Sequence, residues 1–99
     1  MEKTIRPLVT GYGMERDDGM EFLLPGRAVT IEGGKETLLY LLRQCTGYST
    51  AEEIVSVVCE QTGHNREEVW EVIEELLARQ ILVDANHYFL LFHRASENP

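Results

Sequence analysis

The chain has 99 residues, 43% of them hydrophobic and 26% charged, with a formal net charge of -8. That length fits one domain with a single small core. The acidic balance argues against duplex nucleic acid and anionic membrane surfaces as partners, because both are gripped by Lys and Arg placed against phosphates. No apolar run approaches the length of a bilayer span, and residues 1–10 lack the apolar centre of a signal peptide, so a cytoplasmic protein is expected.

Residues 4–16 (TIRPLVTGYGMER) have the β-branched and aromatic content of a strand. Pro7 points to an edge or irregular start, and Gly11 and Gly13 to a bulge. Asp18-Gly19 suits a tight hairpin into a second strand at residues 20–24. Pro25-Gly26 fits the centre of a type II turn, leading to a third strand, Arg27–Glu32. Arg27, Val29 and Ile31 share one face of that strand, and Ala28, Thr30 and Glu32 the other. The three strands read as an antiparallel meander that needs an apolar layer against one face.

Gly33-Gly34 breaks the strand, and residues 35–45 form a first helix carrying Leu38, Leu39, Leu41 and Leu42. Gly47 stops it. Ser49-x-x-Glu52 reads as a capping box opening a second helix, which Gly63 ends. The third helix, residues 65–80, is the strongest element. Asn65 caps it, Glu68 is expected to reach back to the Asn65 amide, and Glu67 and Glu68 place negative charge at the positive end of its dipole. Val69, Ile73, Leu76 and Leu77 form its core stripe, with Val72 on one shoulder and Trp70 on the other. Then come Ile81-Leu82-Val83, a turn at Asp84-Ala85-Asn86, and residues 88–92 (YFLLF), two short strands that read as a wing. Residues 94–99 read as a linker or tail, leaving 1–93 as the domain.

Chemistry-bearing constellations are sparse. His64, His87 and His93 lack metal-ligand spacing, so no metal is expected. The Glu pairs read as solvated helix face, and the glycines match no phosphate loop. Cys45 and Cys59 fall in apolar helical patterns; reduced thiols are expected, a disulfide between them being the alternative. No catalysis and no cofactor are expected.

From residue 24 to 85 the chain reads LPGRAVTIEGGKETLLYLLRQCTGYSTAEEIVSVVCEQTGHNREEVWEVIEELLARQILVDA. This stretch resembles a RiPP recognition element, the leader-peptide-binding domain of ribosomal natural-product biosynthesis, and is similar in layout to the PqqD-like peptide chaperones of pyrroloquinoline quinone synthesis. The matching features are the Gly-rich break after the strand, the Thr46-Gly47 step, Thr50-x-x-Glu53-Ile54, and the V-x-x-x-I-x-x-L helix from Val69 to Leu76 followed by Ile81-Leu82-Val83. Gln80-Ile81 departs from the pattern, since many relatives carry Gly before the wing. The tail FHRASENP resembles the connection to an adenylating, ThiF/E1-like or cyclodehydratase domain.

The resemblance implies an α+β winged helix-turn-helix: a three-stranded antiparallel N-terminal sheet, three helices and a short C-terminal wing. It also implies a non-catalytic, cytoplasmic module whose partners are a precursor leader peptide and a downstream adenylating or cyclodehydratase enzyme. The leader would add as a strand on Arg27, Ala28, Val29, Thr30, Ile31 and Glu32. The groove against the third helix would use Val29, Ile31, Val69, Trp70 and Ile73, with Glu74 or Arg66 at its rim; the helical wheel leaves open which shoulder faces the strand. A winged-helix DNA-binding regulator is the alternative from another class, but its recognition helix would carry Glu67, Glu68, Glu71, Glu74 and Glu75 into a field of phosphates. A dimerisation or scaffold domain pairing through the same sheet edge is a third reading.

Overall fold

The computed structural model describes residues 4–87. Their order is β1 (Pro7–Val9), β2 (Tyr12–Arg16), β3 (Gly19–Leu24), β4 (Arg27–Glu32), α1 (Lys35–Gln44), α2 (Ala51–Thr62), α3 (Arg66–Ala78) and β5 (Leu82–Asp84). The fold is α+β. An antiparallel sheet of order β2-β3-β4 carries the helices on one face, and β1 and β5 form a separate two-stranded ribbon.

The expected first strand is thus two strands. Gly11 divides them with φ of 76°, a left-handed conformation that glycine adopts without a Cβ penalty. A Cβ there would also sit 2.5 Å from the Leu23 carbonyl oxygen, so the close approach of the two strands needs glycine twice over. Beyond the break, β2 joins the meander, Tyr12 opposite Leu23 and Arg16 opposite Gly19. Before it, β1 turns away and pairs with β5, Leu8 opposite Val83. Pro7, which has no N–H to give, opens β1 and accepts from Gly47 N through its carbonyl at 3.0 Å.

The second structural departure lies after α3. The segment expected as the first wing strand, β5, pairs with β1. Asp84 closes β5, and residues 85–87 are helical where a turn was expected. The second wing strand expected at 88–92 lies outside the described residues.

Helix starts follow local side-chain chemistry. Thr50, one residue later than the expected Ser49, caps α2: its Oγ1 accepts from Glu53 N, and the Glu53 carboxylate accepts from Thr50 N at 2.9 Å. Both Ser49 and Thr50 have an acid three residues on, but Thr50 is the residue with extended backbone beside the first turn. The backbone and side-chain hydrogen bonds from Thr50 hold the Glu53 carboxyl below its ordinary range, so the box is complete at neutral pH. Asn65 caps α3 as expected, accepting from Glu68 N at 2.8 Å. Glu68 answers through the Asn65 side-chain amide at 2.7 Å, not through the Asn65 backbone N–H.

The end of α3 explains the Gln80 departure. Ile81 N donates to Leu76 O and Gln80 N to Leu77 O, the paired bonds of a Schellman cap. That motif requires a left-handed residue, and Gln80 supplies it with φ of 65°. For an L-residue this conformation costs about 1–2 kcal/mol. Gln80→Gly is therefore expected to stabilise the chain by about 0.5–1 kcal/mol, the relief exceeding the loss of one exposed side-chain contact. A thermal melt showing no gain, or a loss, would contradict this account of the turn.

The core lies between the inner face of the meander and the three helices. Phe22 of β3, Leu41 of α1, Ile54 of α2, Ile73 of α3 and Leu82 of β5 are all essentially without solvent contact. Each such side chain contributes roughly 1.5–3 kcal/mol of apolar burial. Both cysteines are free. Burial pushes the Cys45 thiol up to about 12, and its Sγ donates to Leu41 O at 3.3 Å, so it is a packing residue and a poor nucleophile. No helix among the described residues is long and apolar enough to cross a membrane.

Candidate functional site

Among the described residues β4 has β3 as its only strand neighbour, so one side of β4 is a free edge. The hydrogen-bond phase of the ladder says which groups that edge exposes. Gly33 N donates to Asp18 O, one step beyond the Gly19–Glu32 pair. Antiparallel pairs alternate between bonded and non-bonded. Ile31, Val29 and Arg27 therefore spend their backbone groups on Met20, Phe22 and Leu24 of β3. The N–H and C=O groups of Ala28, Thr30 and Glu32 point outward along the free edge.

The side chains of Val29 and Ile31 face the helices and pack on the core. Next to Ile31, a pocket of about 370 Å³ opens between the C-terminal end of β4, the start of α1 and one side of α3. Its floor is apolar, from Leu38 and Leu41 of α1, Val58 of α2, and Val69 and Leu76 of α3. Val72 forms its outer wall and is 37% exposed, a large apolar side chain left partly in water. The rim is acidic: Glu32 on β4, and Glu68 and Glu75 on α3. His64 also lies on the rim, its Nδ1 2.9 Å from Glu68 and its Nε2 3.4 Å from Thr37 Oγ1.

The far end of the groove differs. Arg27, at the start of β4, donates to Arg79 O at 2.6 Å and to Gln80 Oε1 at 3.2 Å. Arg79 pairs with Glu75 at 2.9 Å. Strand and helix therefore run antiparallel to one another, with the beginning of β4 at the end of α3.

The residues expected for a binding site divide into three groups. Arg27–Glu32 form one strand with a free edge, and Ile31, Glu32 and Val69 line the pocket. Ile73 lies beneath it at 0% exposure, where a ligand does not reach without moving the core. Trp70 and Arg66 occupy the opposite shoulder, where Arg66 reaches α2 to pair with Glu52 and donate to Ser56 Oγ at 3.2 Å. Trp70 packs partly buried against the core, and Glu74, one turn on from it, is exposed. The shoulder that faces β4 is Glu68, Val72, Glu75 and Arg79, which recur at helical spacing. Val72 was the sequence signal for it, an apolar residue outside the core stripe.

No group of three or more potential metal ligands occurs among the described residues. No family model, no curated protein and no solved structure matches the chain.

Proposed function

We propose that this chain binds an extended peptide, the leader of a ribosomally made and later modified precursor, as an added strand on β4 with side chains in the groove against α3. The single observation that supports it most is the free edge of β4 lying directly beside an apolar pocket. Backbone groups at Ala28, Thr30 and Glu32 give a strand-shaped ligand its hydrogen bonds without breaking any within the sheet, and the pocket beside Ile31 and Val72 gives it side-chain selection. On this reading the module is not itself catalytic. It holds the precursor while an adenylating or cyclodehydratase partner modifies the rest, and the segment after β5 completes a winged helix-turn-helix. The link to that biosynthetic setting comes from the sequence resemblance; the edge and the groove support peptide binding as such.

The test is a titration of the isotope-labelled chain with leader peptides encoded beside its gene, read by amide chemical shifts. Shifts should concentrate at Ala28, Thr30, Glu32 and Val72. Thr30→Pro deletes one outward N–H while leaving the β3–β4 ladder alone. It should weaken binding by about 2- to 10-fold, the worth of one net hydrogen bond. Shifts gathered at Trp70 and Arg66, or a Thr30→Pro variant that binds as the parent does, would refute strand addition at this edge.

A further inference from the structure

The groove has two chemically different ends, and that difference specifies its occupant further. At the Gly33 end, Glu68 of α3 and Glu32 of β4 line the pocket, whereas Glu75 is already paired with Arg79. At the other end stands Arg27, whose guanidinium, among the described residues, donates to the Arg79 carbonyl and the Gln80 side-chain oxygen. Among the described residues no carboxylate lies within ion-pair distance of Arg27, and no Lys or Arg lies within that distance of Glu32 or Glu68. Each end therefore carries charge that the protein does not itself neutralise, and the signs are opposite.

Resting on the reading just given, we infer that the bound segment runs antiparallel to β4 and has a fixed charge order: Lys or Arg at the Gly33 end, two alternate apolar side chains, then Asp or Glu at the Arg27 end. The direction follows from the sheet, which is antiparallel throughout, and from the slightly greater stability of antiparallel pairing. The spacing follows from the pleat, since residues directly opposite each other share a face. Positions opposite Ile31 and Val29 thus point at the groove and are apolar, the former filling the pocket beside Val72. The position opposite Arg27 brings a carboxylate to an unneutralised guanidinium. The position opposite Gly33 brings an ammonium or guanidinium toward Glu68. The resulting pattern is cation-x-apolar-x-apolar-x-anion, read from the N-terminus.

Two synthetic peptides test it: acetyl-Lys-Thr-Leu-Thr-Leu-Thr-Asp-amide, and the same peptide with Lys and Asp exchanged. They have one composition and one net charge, so general attraction to an acidic protein is equal for both. Titrations of the full chain at low salt, followed by amide shifts, should show the first binding about tenfold tighter, an accumulation of modest exposed charge contacts. Arg27→Glu should cut that preference to about threefold or less, and added salt should do the same for the parent. Equal affinities, or a preference for the exchanged peptide, overturn the charge order. If equal affinities are accompanied by shifts at Ala28, Thr30 and Glu32 that Thr30→Pro weakens, peptide addition at β4 stands and only the charge order falls. If neither peptide moves those amides at millimolar concentration, both the charge order and the peptide-binding reading fall.

Discussion

Ile73→Ala is expected to cost about 2–5 kcal/mol of folding free energy, since truncating a buried aliphatic side chain removes both its burial and the packing around it. Ile73 is 0% exposed on the core face of α3, between Val69 and Leu76. A small domain holds only about 5–15 kcal/mol in all, so the variant should unfold at a much lower urea concentration. The result bears on function as well. Loss of peptide affinity in Ile73→Ala should track the fraction unfolded and vanish where that fraction is negligible. Val72→Ala should behave in the opposite way: it removes part of the groove wall from a residue already 37% exposed, so its stability cost stays below about 1 kcal/mol while peptide affinity drops. Urea unfolding of the two variants, alongside peptide titration, separates the core from the groove. A stability loss under about 1 kcal/mol for Ile73→Ala would place α3 wrongly in the core.

The second large effect is expected at Val29→Pro. From the ladder phase, the Val29 N–H points inward to Phe22, the largest fully buried side chain of the meander. Proline there leaves the Phe22 carbonyl without its donor inside the sheet, at a cost of about 1–3 kcal/mol, and sets its ring against the neighbouring strand. Thr30→Pro, one residue along, sacrifices a group that points to solvent and should lose under about 1 kcal/mol. The two variants differ by one position and should differ severalfold in destabilisation, as read by chemical denaturation. The reverse order, with Thr30→Pro the more costly, would mean that the phase of the β3–β4 ladder is shifted by one residue.

That phase was not legible in the sequence. Alternation along residues 27–32 shows which side chains share a face, and the face of Val29 and Ile31 is the one that packs on the core. It does not show which backbone groups point toward β3, because that depends on where the turn closes the hairpin. The meander, the three helices and the Asn65 cap were readable because each is written in local chemistry: Asp18-Gly19, Pro25-Gly26, helical apolar spacing, a side-chain oxygen ahead of a helix. The split at Gly11 and the partnering of β1 with β5 were not, since a run of β-formers carries no mark of which distant strand it will meet. Trp70 illustrates the same limit on the site. A wheel gave α3 two apolar shoulders, and only the three-dimensional position of α2, which Arg66 reaches, shows that Val72 and not Trp70 looks toward β4.

The β1–β5 ribbon has a kinetic consequence. It joins Leu8 to Val83, nearly the full length of the described chain, and Thr10 clasps the end of α3 by donating through Oγ1 to Gln80 O at 2.9 Å. The meander is instead held by pairings between sequence neighbours, and α2 and α3 also pack as sequential partners. The closure entropy of the large loop must be met before the ribbon's few bonds return anything, so on this topology the ribbon is the last part to form. Contacts absent from the folding transition state govern how fast the native protein opens. Weakening the ribbon at Leu8 or Val83 therefore leaves the rate of folding nearly untouched and shortens the lifetime of the folded chain.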